Sequence, residues 1–115
     1  MREIEHGEIY NIQFSPSTGH EYQKLRPAVI ISSNDLIKRS NLVTCIPFTG
    51  KLNNCVETDD IRVKKDATNN LFQDSLLKLQ HLSTFDKTRV KNYIGKIGEV
   101  VLNNIKIKMR NNFGL

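Results

Sequence analysis

A polar loop runs directly into an apolar strand near the first quarter of the chain, and this junction constrains the fold more than any other feature. The residues from Ala28 to Ile31 are apolar and mostly β-branched, which indicates a strand covered on both faces. The preceding segment, residues 19–26, holds a glycine, a histidine, a carboxylate and two cations, and Pro27 fixes the backbone at the junction. Polar loops at the rim of a rigid sheet are where binding and catalytic residues tend to lie. The junction therefore predicts a sheet with a candidate site at its edge.

Short apolar segments separated by turns predict a mainly β chain. Residues 10–14 alternate apolar and polar side chains, which is typical of a half-buried strand. The same patterns predict further elements: strands over 42–48, 56–63, 76–82 and 93–97, a turn over 67–70, and short helical turns capped at Asn34-Asp35 and at Asp86. Pro47 indicates that the strand over 42–48 ends there or lies at an edge. Such a set favours a strongly bent antiparallel sheet or a small barrel, as one domain over residues 1–115.

The C-terminal segment has the pattern of an amphipathic helix. Its apolar stripe falls within roughly 120° at about 100° per residue and comprises Val101, Leu102, Ile105, Met109 and Phe113. Val100 and Ile107 lie on the opposite side. These two residues are either simply exposed or in contact with a second protein chain.

Charge is unevenly distributed along the chain. The formal net charge is +5, yet residues 87–115 alone hold seven Lys or Arg against one Glu, a local balance of +6. A basic surface attracts polyanions, including nucleic acid and acidic proteins. Charge alone is equally compatible with a solvated lysine face that has no partner.

Several common classes of protein are disfavoured by composition. Two cysteines, Cys45 and Cys55, are too few for a disulfide framework and indicate a reducing compartment. No apolar run approaches the roughly 18 residues of a membrane span, and no signal-peptide pattern begins the sequence, so a cytoplasmic location is expected. No cluster of Asp, Glu and His has metal-ligand spacing, so neither a metal nor another cofactor is expected.

A series of short motifs follows a fixed order along nearly the whole chain. The motifs are Gly7-Glu8-Ile9-Tyr10, Gly19-His20-Glu21, Arg26-Pro27-Ala28-Val29-Ile30, Pro47-Phe48-Thr49, Asp74-Ser75 and the segment from Leu77 to Lys87. In this order they resemble the MazF/PemK-like toxin family, the ribonuclease half of type II toxin–antitoxin pairs. The loop departs from that family at Tyr22 and Lys24, where Gln and Gly are frequent. The resemblance implies an SH3-like small barrel with a C-terminal helix, usually as a homodimer.

The resemblance also implies an activity, which is metal-independent and sequence-selective cleavage of single-stranded RNA such as mRNA. Attack by the 2′-hydroxyl leaves a 2′,3′-cyclic phosphate and a 5′-hydroxyl, and it needs a base, an acid and donors to the charged phosphorane. Glu21 is the candidate base, and Arg26 has the planar fork that suits a phosphate. A role of Arg26 as the acid rests on the resemblance. Thr49 is a candidate donor to a non-bridging oxygen.

Four further residues are candidates for RNA binding. His20, Tyr22 and Lys24 lie in the loop, where Tyr22 is suited to stack on an unpaired base. Gln80 either reads a base edge or only bridges backbone groups. Ordinary structural roles remain open for the catalytic candidates as well: an ion pair for Arg26, and a turn-forming hydroxyl for Thr49.

The sequence is also compatible with two other functions. One is a CcdB-like toxin of related fold that poisons DNA gyrase, and the other is an inactive member that only binds its antitoxin. The combination of Glu21, Arg26 and Thr49 favours the enzyme. A cognate antitoxin is expected as partner, and the basic C-terminal quarter predicts that it is acidic and folds on binding.

Overall fold

The computed structural model describes residues 2–14 and 25–115. The strands found there are β1 (Glu8–Gln13), β2 (Leu25–Ile30), β3 (Leu42–Thr49), β4 (Asp60–Val63), β5 (Ser75–Lys78), β6 (Ser83–Asp86) and β7 (Val90–Lys96). The helices are α1 (Asn34–Arg39) and α2 (Glu99–Asn112), and short 3₁₀ helices cover Leu52–Asn54, Leu79–His81 and Lys87–Arg89. The predicted combination of short strands, small helices and a C-terminal helix is confirmed. No helix within the described ranges has the length and apolar character needed to cross a membrane.

The strands form a seven-stranded sheet in the order β4-β5-β3-β2-β1-β7, with β6 also pairing with β3. All of the pairings are antiparallel. The first and last strands of the chain meet, since Glu8 pairs with Lys96. β2, which carries the apolar run, lies between β1 and β3, and Ala28, Val29 and Ile30 are fully buried. The prediction of a strand covered on both faces is therefore confirmed.

Pro47 does not mark an edge, and that expectation was wrong. β3 is the central strand, and Pro47 is fully buried within it. The Ile31 N–H donates to the Thr44 carbonyl at 2.9 Å, so by alternation Pro47 directs its backbone nitrogen away from β2. On that other edge β3 pairs with β6 through Cys45 and with β5 from Phe48 onward. Pro47 falls in the gap between the two partners, where no ladder bond requires an N–H.

The strand predicted over 76–82 is interrupted. β5 and β6 follow one another along the same edge of β3, but Leu77 pairs with Phe48 whereas Ser83 pairs with Cys45. An uninterrupted antiparallel register would advance one residue on each strand, so three residues are left over. They form the 3₁₀ helix Leu79–His81, which bulges out beside the gap at Pro47.

The strand predicted over 56–63 is shorter than expected. Only Asp60–Val63 is extended, because the buried Asp60 carboxylate accepts the Val56 N–H at 2.8 Å and turns the chain back on itself. The Lys78 ammonium also donates to Asp60 at 2.8 Å. The side-chain contact therefore overrides the β-propensity of this segment.

Two apolar clusters lie on opposite faces of the sheet. Val29 and Ile46 belong to one cluster, whereas their chain neighbours Ala28 and Cys45 belong to the other, as the period of two requires. Helix α2 covers the first cluster through Ile105, which is buried, and through Val101, Leu102 and Met109. The predicted stripe is thus confirmed up to Met109, while Phe113 is about half exposed.

The sequence predicted one of two helix caps correctly. The Asp86 carboxylate accepts the Thr88 N–H at 2.9 Å, as predicted. At α1 the cap is Ser33, whose hydroxyl accepts the Leu36 N–H at 3.1 Å, and not Asn34-Asp35. Asn34 instead accepts the His6 N–H through its side chain at 2.7 Å.

Candidate functional site

Arg26 and Thr49 lie on adjacent strands, near the same end of the β2–β3 pairing. The paired register places Ile30 opposite Cys45 and Ala28 opposite Pro47. Arg26 and Thr49 lie two residues beyond the last of these pairs, where Arg26 pairs with Ile12 of β1 and Thr49 pairs with Leu76 of β5. Both residues lie inside their strands, Arg26 exposed and Thr49 partly exposed. Two sequence-predicted site residues, 23 positions apart in the chain, are therefore carried by adjacent strands.

The Thr49 hydroxyl already has one contact within the chain. Its oxygen accepts the Lys51 N–H at 3.3 Å, which is the turn-forming role considered from the sequence. A hydroxyl has one proton and two lone pairs. Since the Lys51 N–H occupies a lone pair, the proton of Thr49 remains directed elsewhere and is available to donate to a ligand.

Two grooves meet near this end of the β2–β3 pairing. The Thr49 groove has a volume of about 230 Å³, and its walls include Pro27, Phe48, Thr49, Leu71, Phe72 and Gln73. The Asn11 groove has a volume of about 480 Å³ and is lined by Asn11, Pro27, Asn70, Leu71, Phe72 and Ile94. Both grooves therefore share the ridge formed by Pro27, Leu71 and Phe72.

Gly50 allows a polar side chain to approach the Thr49 groove closely. A Cβ atom at position 50 would lie 2.1 Å from Nε2 of Gln73, so a larger residue would displace that side chain. The amide of Gln73 is in this way packed against the residue that follows Thr49. A hydroxyl and an amide thus line the same groove, both suited to hydrogen bonding with a polar ligand.

The remaining sequence candidates have different outcomes. His20, Glu21, Tyr22 and Lys24 lie outside the described residues. Gln80 is exposed in the 3₁₀ helix Leu79–His81, beside the central part of β3, and not in the strand predicted from the sequence. It is not among the residues that line the Thr49 groove. Arg26 is not among them either, although the next residue, Pro27, lines the groove together with Thr49.

Phe72 and Gln73 are groove residues that sequence reasoning missed. Phe72 is 92% exposed, the highest value among the large hydrophobic side chains in the described ranges. Its neighbour Leu71 is buried in the core. Nothing in the pair Leu71-Phe72 indicates which of the two points inward, because both are apolar and follow a predicted turn.

Perturbed pKa values are found away from the grooves, around Glu8. Burial raises the pKa of this carboxyl, but hydrogen bonds from Arg2 at 2.6 Å, Tyr10 at 2.9 Å and the Glu5 N–H at 2.8 Å outweigh it and hold the pKa below its usual value. Burial, together with the hydrogen bond to Glu8, raises the pKa of Tyr10 to about 12. Burial also raises the pKa of the Cys45 thiol to about 12. These groups hold the fold together and do not line either groove.

A separate N-terminal pocket adjoins the Glu8 network. It has a volume of about 380 Å³, and its walls include Arg2, Tyr10, Ile37, Lys87, Lys91 and Tyr93. The Arg2 guanidinium lies 3.7 Å from the centre of the Tyr93 ring. Among residues 2–14 and 25–115, no three His, Cys, Asp or Glu side chains are grouped so that they could hold a metal ion.

Comparison with known proteins gives consistent results. Residues 5–113 match the family model of PemK-like, MazF-like toxins of type II toxin–antitoxin systems. The endoribonuclease MazF of Staphylococcus saprophyticus is 32% identical over 85 residues, which are 74% of this chain and 70% of that protein. Among solved structures, a MazE–MazF complex of Deinococcus radiodurans superposes with a TM-score of 0.81 at 19% identity, covering 100% of this chain and 99% of the other. A mycobacterial endoribonuclease in complex with its cognate antitoxin gives a TM-score of 0.73 at 18% identity, covering 100% and 97%.

The match over nearly the whole chain defines the class of protein as a toxin endoribonuclease, and the interpretation drawn from the sequence motifs is confirmed. The chain belongs to the PemK-like, MazF-like toxins of type II toxin–antitoxin systems. At identities below 20%, the structural likeness shows the fold, and it confirms the expected antiparallel sheet with a C-terminal helix.

Proposed function

We propose that this toxin cleaves single-stranded RNA without a metal, by attack of a 2′-hydroxyl on the adjacent phosphate. The observation that supports the proposal is the antiparallel pairing of β2 with β3, which carries Arg26 and Thr49 near the same end of two adjacent strands. A guanidinium donates pairs of hydrogen bonds to phosphate oxygens and stays charged at any physiological pH. Together with the Thr49 hydroxyl on the adjacent strand, Arg26 is proposed to supply a charged and a neutral donor to one phosphate.

The catalytic benefit of this pair lies in charge stabilisation. A phosphorane carries more negative charge than the starting diester, so fixed donors bind it more tightly than they bind the substrate. Arg26 extends from a strand that is buried from Ala28 onward, and Thr49 ends the central strand. Their backbones are held by the sheet, so little reorganisation is needed during the reaction.

Glu21 is proposed as the general base. It lies five residues before Arg26, on the segment that leads into β2. A carboxylate is ionised at neutral pH and accepts the 2′-hydroxyl proton, while Arg26 is proposed to assist the departing 5′-oxygen. His20, Tyr22 and Lys24 of the same segment, and Gln80 from the 3₁₀ helix, are proposed to bind the RNA on either side of the scissile phosphate.

The proposal is tested by incubating the purified protein with a mixed-sequence RNA in excess EDTA and identifying the product ends. We expect cleavage that leaves a 2′,3′-cyclic phosphate and a 5′-hydroxyl. Products with a 5′-phosphate, or a strict requirement for added magnesium, would contradict the mechanism. A parallel supercoiling assay with DNA gyrase tests the gyrase-poisoning alternative, and inactivity in both assays would identify a member that only binds its antitoxin.

An acidic antitoxin is proposed as the protein partner, with the toxin acting in the cytoplasm. Support comes from the family, whose solved members include complexes with cognate antitoxins, and from the net charge of +6 over residues 87–115. On α2, Val100 is 75% exposed and Ile107 is 54% exposed, one heptad apart and so on one side of the helix. These two side chains are proposed to anchor apolar residues of the antitoxin. The alternative is that these two side chains lie in the interface of a homodimer.

Association with the antitoxin should depend on salt. Because opposite charges steer the encounter, we expect the association rate to fall as ionic strength rises, measured by stopped-flow or surface plasmon resonance. Co-expression of the antitoxin should relieve growth arrest. The variant Ile107→Ser distinguishes these alternatives. If Ile107 anchors the antitoxin, the substitution weakens antitoxin binding. If Ile107 lies in a homodimer interface, the substitution lowers the mass measured by sedimentation. An association rate that does not change with salt would show that apolar burial drives the binding.

A further inference from the structure

Phe72 is an exposed aromatic side chain held on a rigid support. Burial of a phenylalanine normally stabilises a fold, yet this ring is 92% exposed while the preceding Leu71 is buried. An isolated exposed apolar residue is common in itself. Phe72 differs from such a residue because side-chain and backbone contacts fix the segment that precedes it.

The supporting segment is held together by one buried amide. The Asn69 side chain is 3% exposed, donates to the Lys64 carbonyl at 2.9 Å and accepts the N–H groups of Asp66 and Leu71, both at 3.0 Å. The Asp66 carboxylate in turn accepts the N–H groups of Thr68 and Asn69. Side-chain hydrogen bonds therefore hold the backbone of residues 64–71 in place.

The segment is also docked directly on β7. The Lys96 N–H donates to the Thr68 carbonyl at 3.0 Å, and the Asn70 side chain donates to the Ile94 carbonyl at 3.1 Å. A Cβ atom at Gly95 would lie 2.4 Å from the Asn69 carbonyl oxygen, so only glycine permits this approach. Asn70 itself has a φ of +54°, a left-handed conformation that asparagine tolerates. The backbone that presents Phe72 is thus fixed to the sheet.

Phe72 stands between the Thr49 groove and the Asn11 groove, on the ridge that both share. Its sequence neighbours on the two sides, Asn70 and Gln73, are polar and exposed. A protein interface is usually built on several contiguous apolar residues. Among the described residues, Phe72 is the one strongly exposed ring at these grooves, with the Asn70 and Gln73 amides on either side and the Thr49 hydroxyl in one groove. This combination better fits the flat face and polar edge of a nucleobase.

We propose that Phe72 stacks on an unpaired base next to the scissile phosphate and so helps to determine which RNA sequences are cleaved. This inference rests on the proposed function, because it takes the phosphate to lie at Arg26 and Thr49. The ridge separates two bases of the strand, one in each groove, and the Gln73 amide contacts the edge of the base in the Thr49 groove. Every base has a π-face, so stacking supplies affinity, while the amide and the shape of the groove supply the preference.

The test uses an RNA that contains a mapped cleavage site. Sites are first mapped by sequencing the products of the wild-type protein, and the nucleotide before the cut is then replaced by its 2′-deoxy form, which removes the nucleophile. Binding of this uncleavable RNA is measured by fluorescence anisotropy. We expect Phe72→Ala to weaken binding roughly 5- to 150-fold. Phe72→Trp should retain binding, and Phe72→Leu, which keeps an apolar side chain without a π-face, should lose most of it.

Abasic substitutions identify the stacked base. Each nucleotide flanking the cut is replaced in turn by an abasic one, and each RNA is titrated with wild type and with Phe72→Ala. One abasic position should weaken the binding of wild type but leave that of Phe72→Ala unchanged, because the two changes remove the same contact. Product sequencing with Phe72→Ala should show relaxed preference at that position. Leu115→Ala, which removes another exposed side chain at the end of the chain, is the matched control.

The outcomes separate this proposal from the proposed function. If the wild type cleaves RNA but Phe72→Ala binds and selects RNA as well as the wild type, the stacking role is wrong and the function stands. The stacking role is also wrong if Phe72→Ala weakens only antitoxin binding, since the ring then contacts a protein. If the wild type cleaves no RNA, the proposed function is overturned and this proposal with it. Unchanged circular dichroism and melting temperature check that Phe72→Ala folds.

Discussion

The N-terminal pocket and the Thr49 groove are both cavities at the surface of one sheet, but they use their polar groups in opposite ways. In the N-terminal pocket, Arg2 pairs with Glu8 at 2.6 Å and stacks on Tyr93, while Lys91 donates to the Thr88 carbonyl at 3.0 Å. The Thr49 groove is lined by a hydroxyl, the Gln73 amide and the exposed Phe72 ring. An anion entering the pocket would compete with carboxylate and carbonyl groups of the protein. Among residues 2–14 and 25–115, no carboxylate lines the Thr49 groove, which distinguishes the structural network from a candidate binding surface.

Arg26→Ala should give the largest effect, and only on catalysis. We expect cleavage to slow by roughly 100- to 1,000-fold, because one donor to the charged phosphorane is lost. The melting temperature should stay near that of wild type, since Arg26 is exposed at the start of β2. Rates are compared on one RNA under single-turnover conditions. If Arg26→Ala cleaves RNA almost as fast as wild type, the active site does not include Arg26.

Glu8→Gln should lower the stability of the fold and leave cleavage by the folded protein unchanged, which is the reverse of the effect of Arg26→Ala. The new amide places an N–H₂ group where one carboxylate oxygen accepted a bond, and it faces the guanidinium of Arg2. We expect the free energy of unfolding to fall by about 1–3 kcal/mol, measured by urea denaturation. Glu5→Gln removes the same charge at an exposed position and is the control. Loss of cleavage per folded molecule in Glu8→Gln would contradict the separation between the two regions.

Thr49→Val should slow cleavage by about tenfold, which is less than the effect of Arg26→Ala. The substitution keeps the shape of the side chain but removes its proton, and a hydrogen bond to a charged oxygen contributes roughly 1.5 kcal/mol. Thr49→Ser retains the hydroxyl and should cleave almost as fast as wild type. If valine and serine behave alike in the cleavage assay, Thr49 serves only the turn at Lys51.

The stability of the fold at acid pH should show a smaller effect, through the ionisation of Glu8. The pKa of Glu8 is lower in the folded chain than its usual 4.5, so the unfolded chain takes up a proton first as the pH falls. The stabilisation by ionised Glu8 is therefore present above pH 4.5 and is lost as the pH drops through the folded-state value. Thermal melts from neutral to acidic pH should show a steeper decline for wild type than for Glu8→Gln. Parallel curves would mean that Glu8 contributes nothing to acid sensitivity.

The sequence predicted most of the elements, and its errors came from contacts between distant residues. The apolar run at Ala28 and the stripe of α2 were correct because local periodicity determines which face is buried. Pro47 was misassigned because its tolerance depends on a gap between two partner strands, which no local pattern shows. The bulge at Leu79–His81 has the same origin, since it arises from the pairing of β5 and β6 with β3.

The candidate site was predicted in part, for a similar reason. Arg26 and Thr49 were predicted from motifs, and the pairing of β2 with β3 carries them on adjacent strands. Phe72 was not found, because its exposure depends on how Asn69 and Gly95 fix the preceding segment. A sequence reveals residues whose chemistry is distinctive, whereas an ordinary phenylalanine becomes informative only when its surroundings are known.

The pairing of β1 with β7 has a consequence for the cell that makes this toxin. Lys96, the partner of Glu8, is synthesised long after Glu8, and α2, which covers one face of the core, comes later still. In a ribosome-bound nascent chain that stops before β7, β1 pairs with β2 alone, so one edge of β1 is unpaired and one face of the core is uncovered. The sheet that carries Arg26 and Thr49 is therefore completed only after β7 and α2 have been made. Products that terminate before β7 should be harmless to the host, and activity should arise only once β7 and α2 are present, at about the time that an antitoxin made alongside them can bind.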